Sequence, residues 1–158
     1  MNVWERSRQI KGIFYSHCPN IIITVPAFKP NESHKFANSG EIRIEGIKFI
    51  DGSILNFLED IYLGNIKRYC YEYIQSTGFF FSYENEGQAN GIKKPLNHLH
   101  VGIMKEYAES SLPEKLLEHK GPHFKAPQME FHEFMGIIVA NFFSEHDDCE
   151  DMLRNLGL

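Results

Sequence analysis

Apolar and polar residues alternate with period two through the middle of the chain and with a helical period towards its ends. From Glu41, Ile42 and Ile44 alternate with Glu41, Arg43 and Glu45. Gly46 then interrupts, and Ile47-Lys48-Phe49 resumes one residue out of phase. A glycine at a phase slip predicts a β-bulge. Asp51-Gly52 predicts a two-residue hairpin turn, because both positions of that turn favour positive φ, with a return strand over residues 54–59. In residues 67–74, Tyr69, Tyr71 and Tyr73 fall on one face, opposite Arg68, Cys70, Glu72 and Ile74. Thr77-Gly78 turns the chain into the aromatic strand 79–83, and a polar loop over 84–95 leads to a strand at 98–103. There Leu99, Val101 and Ile103 share one face, and His98, His100 and Gly102 the other. The β-branched run 21–25 stops at Pro26 and predicts a short edge strand, and 29–40 reads as a loop.

Beyond residue 128 the period changes. Phe131, Phe134, Met135, Ile138, Val139 and Phe142 follow helical spacing, which predicts an amphipathic helix over 129–143 lying on a sheet. Residues 1–15, with Trp4, Ile10, Ile13 and Phe14 as an apolar stripe, predict a helix, and 146–158 a last helical turn or two. Residues 105–127 read as irregular or short-helical. The expected fold is therefore α+β: a mostly antiparallel meander of five or six strands against a C-terminal helix, with an N-terminal helix beside it.

At 158 residues, 42% hydrophobic and 23% charged, the chain is expected to form a single domain; disorder and collagen-like repeats are excluded. A formal charge of −5 argues against global attraction to nucleic acid or anionic membranes, so such binding needs a local basic patch. Thirteen Phe and seven Tyr suit an aromatic sheet. Cys18, Cys70 and Cys149 lack CxxC spacing and suit a reducing compartment. The first residues carry no apolar signal region, and the longest apolar runs fall far short of the roughly 20 residues that span a bilayer. A soluble, cytoplasmic protein is expected.

His98 and His100 are the leading candidates for chemistry. Two residues apart on a strand, they share a face about 7 Å apart and, with the apolar face already taken, are expected to look towards solvent or a cleft. That pairing suits an acid and a base flanking a scissile phosphodiester, or two ligands of one metal. Tyr71 is the catalytic hydroxyl expected beside them, and Glu84-Asn85 is placed to complete the site across from His98, with Asn85 in a supporting role. Lys93, Lys94 and Asn97 supply charge and a donor for substrate. His123, in the basic loop 120–125, joins either phosphate or a metal. No cofactor is called for; a divalent metal at His98 and His100 is the less favoured alternative, since the pair offers only two ligands and has no paired carboxylates nearby. His-Leu-His-Val is also similar to the histidine-triad nucleotide hydrolases, although Gly102 stands at the third position.

The order Asp51-Gly52-Ser53, the tyrosine strand, Ser82-Tyr83-Glu84-Asn85 and residues 95–102 (Pro-Leu-Asn-His-Leu-His-Val-Gly) resembles the TumE-like small toxins over roughly residues 41–143. The chain departs from the family at Gly87 and Gln88, where histidines usually stand, and in keeping only His98 and His100 of the later cluster. The resemblance implies a toxin component acting on RNA as a ribonuclease-type hydrolase, with a helix-turn-helix antitoxin as partner; exposed edges and aromatics add a homodimer. The alternative is a non-catalytic module that recognises a protein or nucleic acid through its aromatic sheet face.

Overall fold

The computed structural model describes residues 1–86, 88–89, 92–107, 117 and 122–158, with backbone alone at 88, 89, 92, 93 and 107. Helix α1 (Val3–Gly12) starts at Asn2, whose side chain and that of Glu5 each accept from the other's backbone N–H. It runs into a π-helical turn, Ile13–His17. Strands β1 (Ile22–Thr24) and β2 (Asn31–Glu32) both pair with β3 (Gly40–Phe49). The meander continues through β4 (Ile54–Tyr62), β5 (Asn65–Ile74) and β6 (Phe79–Glu84). A two-stranded ribbon, β7 (Gln88–Ala89) and β8 (Ile92–Lys93), precedes β9 (His98–Ile103) and then β10 (His123–Lys125). Helices α2 (Phe131–Phe142) and α3 (Cys149–Asn155) close the chain.

The α+β class and the antiparallel meander are as expected, but the sheet has eight strands, with path β1-β3-β4-β5-β6-β9-β10 and β2 beside β3. Two of the additions, β2 and β10, are too short to carry a hydrophobic alternation and exist by pairing with a longer neighbour. Among the described residues no helix is long and apolar enough to cross a membrane.

The bulge falls where the phase slips: register shifts between Ile44 and Ile47, Gly46 takes φ +81°, and its N–H donates to Oδ1 of Asn56 at 2.9 Å. The turn at Asp51-Gly52 is wider than the expected two residues. Only Gly52 has positive φ, while the Asp51 carboxylate accepts from the Ser53 N–H and thereby holds a longer loop. The tight two-residue turn lies at Leu63-Gly64 between Tyr62 and its partner Asn65, with both residues at positive φ.

One face of the sheet carries Ile42, Ile44, Phe57, Tyr71 and Phe81, buried against Phe131, Phe134, Ile138 and Val139 of α2 and against Ile10 and Phe14 at the N-terminus. In α1 the inward stripe is Val3, Ser7 and Ile10; Trp4 is 45% exposed and donates to Glu32 instead. Tyr69, Tyr71 and Tyr73 are at most 1% exposed, so the tyrosine ladder belongs to the helix-covered core and not to a binding face.

The core also stores protons. Burial pushes the Cys18 thiol up to about 12 and raises the Tyr71 and Tyr73 phenols above their ordinary range. At high pH the unfolded chain releases these protons and the folded chain keeps them, so stability falls as pH rises. The urea midpoint is expected to be insensitive to these groups below about pH 8 and to decline steadily above about pH 9; a midpoint flat to pH 11 would contradict this.

Candidate functional site

Three neighbouring strands assemble a histidine cluster on the sheet face away from the helices. In the ladder between β6 and β9, Glu84 lies opposite His98 and Ser82 opposite His100; between β9 and β10, His100 lies opposite His123 and His98 opposite Lys125. Directly paired residues project to the same side of a sheet. Tyr83 and Leu99, one step out of phase, pack towards the helix-side core.

The imidazole rings of His98 and His100 have centroids 4.7 Å apart, and His123 lies 4.0 Å from His100 and 5.4 Å from His98. Oε1 of Glu84 is 3.0 Å from Nε2 of His98 and also contacts Nε2 of His100. The two Nε2 atoms are 2.9 Å from each other. Nζ of Lys94 approaches the same carboxylate oxygen at 3.8 Å. One ring nitrogen from each of the three histidines lies within 4.8 Å of the other two.

Hydrogen-bond chemistry restricts the His98 tautomer. Its Nδ1 is 2.7 Å from the carbonyl oxygen of Pro95. A carbonyl only accepts, so Nδ1 carries the proton. Nε2, the nitrogen that faces the Glu84 carboxylate, then either donates a second proton to it or points its lone pair at a cation held between them. Burial by itself would raise the Glu84 carboxyl, but hydrogen bonds and charge from His100 and then His98 outweigh it and bring it down to about 2. Burial, followed by the fields of His100, Lys94 and His98, pushes the His123 imidazole down to about 4. Nε2 of His123 is buried and has no hydrogen-bond partner among the described residues. Such a cluster can pass protons among its members, or hold a cation through nitrogen and carboxylate donors.

His98 and His100 do share a face, but neither looks into solvent: both are 0% exposed. Strand β10 makes β9 an inner strand and sets the His123 ring edge-on against His100 and tilted against His98. The neighbouring Lys94 and Glu84 side chains are only 11% and 14% exposed.

Of the pair Glu84-Asn85, Glu84 completes the site. Asn85 instead bridges backbone on β5, accepting from the Tyr69 N–H and donating to the Lys67 carbonyl. Tyr71 is on the opposite face, where its hydroxyl donates to Glu59 at 2.6 Å. The reading that put it beside the histidines is therefore corrected by strand register. Asn97 accepts from the Tyr69 hydroxyl at 3.1 Å. Lys94 is at the site, whereas the Lys93 side chain lies outside the described residues, as do Lys120 and Gly121 of the basic loop. His123 belongs to a strand and not to a loop. Lys125 was not anticipated, although His123-Phe124-Lys125 is itself a polar–apolar–polar alternation matching that of His98 to His100. The chain matches no family model, no curated protein and no solved structure.

Proposed function

We propose that this chain is a hydrolase of the ribonuclease type, a toxin component in its biology, with its reactive centre at Glu84, His98, His100 and His123. The observation that carries the reading is the packing of three imidazoles together, two of them on the Glu84 carboxylate, beside the Lys94 ammonium. Cleavage of an RNA phosphodiester needs an acceptor for the proton of the attacking hydroxyl, a donor to the leaving oxygen, and positive charge for the phosphorane. The imidazoles are suited to the first two tasks. Lys94 supports the third, and Lys125, on the same face of β10, adds charge at the rim. Stacking of bases on Tyr69, Tyr71 and Tyr73 has no part in this reading, because those rings are enclosed in the core. On the same reading the partner is a helix-turn-helix antitoxin.

Induction in a bacterial host is expected to arrest growth, and purified protein to cleave single-stranded RNA. A His98→Ala, His100→Ala double variant is expected to lose cleavage by about 100-fold or more while keeping the wild-type circular dichroism spectrum. Undiminished arrest and cleavage by the folded double variant would overturn the proposal.

A further inference from the structure

The geometry points to a resident divalent transition-metal ion, of the zinc class, held by one ring nitrogen from each of His98, His100 and His123, with the Glu84 carboxylate against the first two. The members of this set come from β9 and β10, and only the pairing of those strands brings His123 onto His98 and His100. The sequence offers two well-placed ligands and His123 as one that could join them; the fold brings that third imidazole to the pair.

Four features favour a metal over a shared proton. The His98 Nδ1–H donates to the Pro95 carbonyl, the outer contact that orients metal-ligating histidines and leaves the other nitrogen free to coordinate. The separation between two of the donors, 2.9 Å from Nε2 of His98 to Nε2 of His100, approaches the ~3.3 Å expected around a tetrahedral ion with bonds of about 2.0–2.1 Å. His123 contributes a buried Nε2 with no hydrogen-bond partner among the described residues, beside the other two rings. Finally, both other histidines are wholly enclosed, and buried imidazoles crowded against a carboxylate are the environment of a bound cation. The donor set selects the ion: three imidazole nitrogens suit Zn²⁺, Co²⁺ or Ni²⁺, whereas Mg²⁺ and Ca²⁺ prefer oxygen shells.

The inference rests on the proposed function only for what the ion does, and it changes the division of labour there. Imidazole nitrogens bound to the ion no longer relay protons; the ion activates the attacking hydroxyl and bears charge at phosphorus in their place. Occupancy is tested separately. Full-length protein, stripped with a chelator, is titrated with Zn²⁺ by calorimetry and with Co²⁺ by visible absorption. One equivalent is expected, with four-coordinate Co²⁺ d–d bands and no thiolate charge-transfer band. His123→Ala and Glu84→Gln, each checked for folding by circular dichroism, are expected to weaken Zn²⁺ by at least about 10- to 100-fold. His123→Ala is the milder test, since it alters only a short edge strand. Wild-type protein that is folded yet binds no Zn²⁺, or binds it equally in both variants, would overturn the metal site. Stoichiometric Zn²⁺ without RNA cleavage would uphold the site and remove the hydrolase reading. Cleavage that persists in metal-free protein unable to take up Zn²⁺ would do the reverse.

Discussion

Arg6→Met is expected to cost about 3–5 kcal/mol of folding stability, a large share of the ~5–15 kcal/mol typical of a domain. Arg6 is 8% exposed and Glu59 is 0% exposed, on the helix-covered side of the sheet. The guanidinium grips the carboxylate with both arms, Nε to Oε2 at 2.8 Å and a terminal nitrogen to Oε1 at 2.6 Å, and the Tyr71 hydroxyl donates to Oε1 at 2.6 Å. Methionine fills much of the same volume, so the loss comes mainly from stranding a buried carboxylate with one remaining donor. Arg6→Lys keeps the charge but not the fork and should fall between wild type and Arg6→Met. The double change Arg6→Met, Glu59→Leu should recover much of the loss, because it removes the uncompensated charge. Urea denaturation of the set reads the coupling; a loss below about 1 kcal/mol in Arg6→Met would show that the pair is solvated.

Phe131→Ala is expected to cost a similar 3–5 kcal/mol. The ring is 0% exposed and is shared by every layer of the core: its centroid lies 4.7 Å from Phe57, 5.1 Å from Tyr71 and 5.7 Å from Phe14. Truncation at the first turn of α2 opens a cavity between the sheet, α2 and the N-terminal helix that none of them can close alone. Phe131→Leu should cost less than half as much, and Phe124→Ala, at a side chain on β10 that is 51% exposed, within about 0.5 kcal/mol. Thermal or urea unfolding of the three variants checks the order. Equal losses in Phe131→Ala and Phe124→Ala would mean that the core is not where the ring contacts place it.

These two positions differ in how legible they were. Phe131 sits in a 3.6-residue pattern that can be read directly from the order of residues. Glu59 shares the buried face of β4 with Phe57 and Ile61, and neither its burial nor its partner was read from the sequence. Arg6 stands 53 residues away on another element. The histidine cluster divides in the same manner. That His98 and His100 share a face follows from the pleat, and Glu84 ends a strand in a position to meet them. That His123 belongs with them follows only from β10, a three-residue strand whose own pattern is too short to register. Tyr71 failed for a complementary reason: parity along β5 puts three tyrosines on one face, but which face they share with β9 depends on the pairing of β6 with both.

By itself, then, the order of residues determined the class of fold, the bulge at Gly46, the C-terminal helix and the pairing of two histidines on one strand face. Each depends on interactions within a few residues, where backbone geometry imposes a fixed period. Tertiary structure alone decided strand number, the side occupied by the tyrosines, the burial of the histidines and the close approach of His123 to the other two. Those depend on register between strands distant in the chain, where one residue of slip exchanges the two faces of the sheet.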